Sequence, residues 1–175
     1  VQFRRMNILQ VIPSFYPALA WGGPIQSTYS LCNALAQRND VTLRVLTTDA
    51  SGPKLNDRLK VKPTTDFSEG YRVYYCRRQL GSSFSVTMLR RLPPMIRWAD
   101  IVHLTAVYSA PTIPTLFLCR LFNKPVVWAP RGALQRDHRL GVVGQLLLVR
   151  HGQASWGAAD YVRELEDLRS SYRLF

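Results

Sequence analysis

Residues Asn7–Arg38, NILQVIPSFYPALAWGGPIQSTYSLCNALAQR, decide the fold. Asn7 to Ile12 is mostly apolar and β-favouring, and Pro13 closes it, which is the pattern of a central parallel strand. From Pro24 onward Ile25, Tyr29, Cys32, Leu35 and Ala36 recur at helical spacing, with Gln26, Ser30, Asn33 and Gln37 left for the wet face. Proline is favoured at the first helical position, where its missing N–H would have had no partner. Gly22 and Gly23 precede it and leave the first amides bare to an anionic or polyhydroxyl ligand. The connecting loop of about ten residues exceeds the usual two to six, as binding loops do. A second reading, in which the two glycines only shape a tight turn, stays open on this stretch alone.

The chain of 175 residues holds enough for one full domain with its own core. A hydrophobic content of 47% beside 19% charged residues excludes a disordered chain. No apolar run reaches the roughly 18 to 20 residues of a membrane span. The opening VQFRRMNILQV has arginines before an apolar stretch, but that stretch is short and lacks a small-residue cleavage site, so export is not expected. Cys32, Cys76 and Cys119 are widely spaced in apolar surroundings, so we expect reduced core thiols, no disulfide framework and no metal site.

The net charge of +12 is uneven: residues 1–149 hold 19 Lys/Arg and 7 Asp/Glu, and residues 150–175 hold four of each. Such a basic part suits nucleic acid, anionic lipid headgroups or a phosphorylated substrate. The arginines are dispersed with no RNA-binding aromatic signature among them, so nucleic acid is not an expected partner.

Further strands are predicted at Val41–Thr47, Tyr71–Cys76, Ile101–Leu104 and Val126–Ala129. Helices are expected over Ser85–Trp98, broken or kinked at Pro93-Pro94, and over Pro111–Phe122, interrupted at Pro114. Asp49–Glu69 reads as a surface excursion. The alternation predicts an α/β domain, a doubly wound, Rossmann-like parallel sheet with ligands outside the carboxyl ends of its strands. The candidate rim is Ser14–Gly23, Thr47–Asp49, His103–Tyr108 and Ala129–Gly132. His103 is either a site imidazole or a satisfied structural one, and Arg131 either a phosphate ligand or half of an ion pair.

The ordered blocks NILQVIPSFYPALAWGGPIQSTYSLCNALAQR, DVTLRVLTTD, ADIVHLTAVYSAPT and NKPVVWAPRGAL resemble the N-terminal domain of family 4 glycosyltransferases, the N-terminal half of a GT-B fold, over about residues 6–135. The resemblance implies retaining transfer of a sugar from a nucleotide-sugar donor to a glycan or lipid-linked acceptor, as in polysaccharide biosynthesis, in a cleft between two Rossmann-like domains. It implies that Gly22 and Gly23 form the glycine-rich loop near the donor phosphates, that His103 is the cleft-facing histidine, and that Arg131 and Gly132 form the turn after the fifth strand. The nucleotide-sugar is then a substrate, and no cofactor or metal is demanded, because amides and cations carry the leaving-group charge. The resemblance implies that the family's donor-binding C-terminal domain, with its glutamate pair, follows this one; Glu164 and Glu166 are wrongly spaced to be that pair. The expected location is cytoplasmic, peripheral to the inner membrane face, with an anionic membrane surface as a partner.

A second resemblance lies in Gln145–Tyr161, QLLLVRHGQASWGAADY, which is similar to the opening strand and catalytic loop of the histidine phosphatase superfamily. It implies phosphoryl acceptance by His151 and phosphate binding by Arg150. The organisation expected is therefore a glycosyltransferase-like domain over 1–140 and a short tail over 141–175. Two alternatives to sugar transfer stand: phosphoryl transfer at His151, and a non-catalytic binding or inert fragment.

Overall fold

The computed structural model describes residues 5–106 and 108–129. Their six-stranded sheet is α/β and Rossmann-like, as the alternation predicts. Its strands are β1 (Met6–Ser14), β2 (Val41–Thr48), β3 (Thr64–Asp66), β4 (Arg72–Cys76), β5 (Ile101–Thr105) and β6 (Val126–Ala129), in the order β3-β4-β2-β1-β5-β6. All pairings are parallel except β3 with β4. The order reverses at β1, which lies between β2 and β5, so the topological switch point stands at the end of the first strand.

Strand β1 earns that position by being apolar on both sides. Met6, Ile8 and Ile12 join one core cluster with Ile25, Leu35, Val45 and Val73, whereas Leu9 and Val11 join the other with Leu46, Leu92, Val102 and Leu104. Successive side chains point to opposite faces, and both faces are covered, so the strand has no polar stripe. Gln10 and Ser14, 1% and 4% exposed, are its buried polar residues.

Helix α1 (Gly23–Ala36) covers the first face, with Ile25, Thr28, Cys32 and Leu35 buried. It begins one residue earlier than expected, so Gly23 is the first helical residue and Pro24 the second. Helices α2 (Val86–Trp98) and α3 (Thr112–Leu121) cover the second face. Ser85 caps α2 by accepting the Met88 N–H.

Neither helix is broken at its prolines. Helix α2 runs through Pro93 and Pro94 as one element. The ring removes two intrahelical donors, but Met88, Leu92, Met95 and Ile96 stay buried against the sheet, and tertiary packing outweighs that loss. Pro114 falls in the first turn of α3, where its absent N–H would have been unpaired anyway, so α3 is not interrupted.

The excursion after β2 is more ordered than its composition suggests. It contributes the antiparallel edge strand β3, and the fully buried guanidinium of Arg78 ties down its first part. Arg78 Nη1 donates to the Gly52 carbonyl at 2.8 Å, and Nη2 donates to the carbonyls of Lys54 and Asp57. Its backbone N–H donates to Asp49 Oδ1 at 2.7 Å.

Candidate functional site

The loop from β1 to α1 is held by aromatic rings. Phe15 is fully buried and meets Tyr29, Phe67 and Tyr71 edge-on, while Tyr16 stacks on Tyr29 with centroids 4.3 Å apart. The Tyr75 hydroxyl donates to the Tyr16 carbonyl. Burial pushes the Tyr71 and Tyr75 phenols well above their usual range, so both remain neutral donors. Thr48 Oγ1 donates to the Pro13 carbonyl at 2.6 Å and fixes where β1 ends.

From this frame the chain turns through Leu19–Trp21 to Gly22, whose φ of 70° and ψ of −143° suit glycine alone. Gly22 and Gly23 are exposed, and a Cβ added at either would meet nothing within 4 Å. The bare donors expected here reduce to one. Gly22 N–H donates to the Leu19 carbonyl, Ile25 N–H donates to the Gly22 carbonyl at 3.2 Å, and Pro24 has no N–H. Gly23 N–H has no acceptor among the described residues and lies at the positive end of a 14-residue helix.

His103 lies in the body of β5, 2% exposed, opposite Gln10 of β1. Gln10 Nε2 donates to Thr105 Oγ1 at 2.9 Å and to the Val11 carbonyl at 3.3 Å. Its Oε1 therefore faces His103 Nδ1 at 2.5 Å, and the imidazole donates there, which fixes its tautomer when neutral. Gln10 precedes the end of β1 by four residues, about 13 Å of strand, so His103 lies level with the middle of β1. The fold thus places the glycines in the exposed turn before α1 and the histidine inside the sheet.

Other rim residues have structural work: Thr48 and Asp49 hold Pro13 and Arg78. Arg131, Gly132, Arg150 and His151 lie outside the described residues.

Three residues escaped sequence reasoning. Gln10 was detectable as a lone amide within a buried strand. Arg78 carried no signal beyond one charge in Arg77-Arg78. Ala106, immediately after β5, adopts a φ of 127° and was invisible in sequence. Its carbonyl accepts the Trp128 Nε1–H at 2.8 Å, so β6 holds a strained turn at the carboxyl end of β5. Cys32, Cys76 and Cys119 are buried thiols that form no disulfide among the described residues.

Chemically, the glycine turn offers an open approach to backbone, an amide with no acceptor among the described residues and a helix dipole, and the sheet separately encloses a polar Gln10–His103–Thr105 relay. It suits binding of a phosphorylated or hydroxyl-rich group more than general acid–base work by a side chain. Comparison with known proteins yields no matching family model, no matching curated protein and no matching solved structure.

Proposed function

We propose that this domain is one wall of a sugar-transfer cleft: it receives a glycan or lipid-linked acceptor and contributes a backbone approach to the pyrophosphate of a nucleotide-sugar. The observation that carries the reading is the Gly22–Gly23 turn, open to space beside the switch-point strand, with Gly22 in a glycine-only conformation. Ligands of doubly wound sheets bind at that point. The leaving pyrophosphate gains negative charge in the transition state, and the Gly23 amide with the α1 dipole is the kind of group that stabilises such charge, which supports the reading. Transfer needs a donor-binding surface opposite this one, so the described residues are assigned a share of binding and not the whole reaction.

The test is saturation-transfer NMR on the chain with a panel of UDP-, GDP- and ADP-linked sugars and free monosaccharides. Saturable contact to the diphosphate, weakened in Gly23→Val, is the expected result. Absence of contact by every nucleotide-sugar at millimolar concentration defeats the reading.

A further inference from the structure

The outer surface of the α2–α3 layer has a composition that the glycine turn does not account for. On α3, Ile113, Phe117 and Leu121 are 78%, 65% and 62% exposed and follow one another at four-residue spacing, so they form one stripe. Arg120 is exposed beside them. On α2, Thr87, Arg90, Pro94 and Arg97 are exposed at spacings of three and four, which also gives one stripe. The helices pack on the same core cluster, and the Arg97 guanidinium lies 4.4 Å from the centroid of the Phe122 ring just past α3, so the stripes share one surface.

That surface carries no carboxylate from either helix. From Arg72 to Ala129 the single acidic residue is Asp100, between α2 and β5, whose Oδ2 accepts the Asn7 N–H at 2.9 Å. The remaining described acids, Asp40, Asp49, Asp57, Asp66 and Glu69, precede β4 in the chain. Exposed apolar side chains and arginines with no helix carboxylate beside them therefore share one helical layer.

We infer that the α2–α3 face docks on an anionic phospholipid bilayer, with Ile113, Phe117 and Leu121 entering the boundary between headgroups and acyl chains and Arg90, Arg97 and Arg120 meeting lipid phosphates. An exposed apolar stripe in a carboxylate-free basic field is the composition of interfacial helices. Nucleic acid would use the arginines and leave the stripe uncovered. A second copy of the chain would bring like charges together. Docking does not rest on the sugar-transfer reading.

Co-sedimentation of the full chain with vesicles of phosphatidylcholine, alone or mixed with phosphatidylglycerol, tests it. Binding to the mixed vesicles that weakens with salt is expected. Each arginine near an anionic surface contributes about fivefold in affinity, so R90Q/R97Q/R120Q together should lose about a hundredfold. F117S/L121S should also weaken binding, whereas K60Q/K62Q, in the excursion before β3, should bind as the wild type does. These substitutions are at surface positions, and circular dichroism verifies that the variants fold. Equal binding to neutral vesicles, binding to neither kind, or unchanged binding by R90Q/R97Q/R120Q overturns the inference. So does a dimer in sedimentation velocity that F117S dissociates, or a polyanionic RNA bound as tightly by F117S/L121S as by the wild type.

Discussion

Replacing the two adjacent glycines separately by alanine distinguishes a backbone requirement from an open approach. Gly22 combines a φ of 70° with a ψ of −143°, where a side chain is strained by about 1 to 3 kcal/mol. At a midpoint of about 2 kcal/mol, and 2 to 4 °C per kcal/mol for a chain of this size, Gly22→Ala should lower Tm by about 4 to 8 °C. Gly23 lies outside the left-handed region, and its added Cβ meets nothing within 4 Å. Gly23→Ala should therefore gain about 0.4 to 1 kcal/mol from the reduced entropy of the unfolded chain, raising Tm by about 1 to 4 °C. The two shifts have opposite signs, which differential scanning calorimetry resolves without a ligand. The same Gly23 methyl stands where a ligand would approach the helix end, so nucleotide-sugar affinity should fall in the variant whose stability rises. Tm shifts of the same sign, or a Gly23→Ala protein destabilised by more than about 1 kcal/mol, would refute the geometry on which the site rests.

Arg78→Met should cost about 3 kcal/mol, because carbonyls of Gly52, Lys54 and Asp57 lose a charged donor, and hydrogen exchange should quicken over residues 49–58; unchanged exchange there contradicts the clamp. Gln10→Leu should cost about 1 to 3 kcal/mol in urea unfolding by leaving His103 Nδ1–H and Thr105 Oγ1 without their partner, and a neutral result would mean the relay is not formed. Burial pushes the Cys76 thiol up to about 11 and the Cys119 thiol up to about 12 from an ordinary 9.0. The folded state holds those protons more tightly, so this stability is fully present below pH 9 and is lost as pH rises toward 11 and 12. The Cys76 share is about 3 kcal/mol, and Cys76→Ala should flatten the alkaline decline of unfolding free energy by about that amount; an unchanged slope rejects it.

The sheet was legible because its signals were local. The apolar run around Ile8–Ile12, the helical spacing from Ile25 to Leu35 and the short apolar strands at Ile101 and Val126 each state their environment within a few residues. That α2 continues through Pro93-Pro94 without a break was not legible, because a local rule about proline competes with a long-range gain: four buried α2 side chains packed on the sheet. Strand β3 was missed since Thr64–Asp66 is short, polar and largely exposed, and its backbone pairing with β4 is accompanied by a cross-strand Arg72–Asp66 contact rather than by a hydrophobic pattern. The glycine turn was legible as a place, but its chemistry was not. That Gly22 and Ile25 amides are already consumed depends on backbone angles no residue name encodes. Arg78 shows the same limit in the other direction, a charge that reads as surface in sequence and is wholly enclosed in space because an adjacent loop supplies its acceptors.

The central claim, that the glycine turn beside β1 receives a nucleotide-sugar, is tested most directly by an amide-resolved NMR titration with UDP-glucose. The account predicts that the Gly23 amide shifts saturably in the millimolar range, together with its neighbours at the start of α1, and that Gly23→Val abolishes the response. A Gly23 resonance that stays fixed while other amides of the domain respond would contradict it.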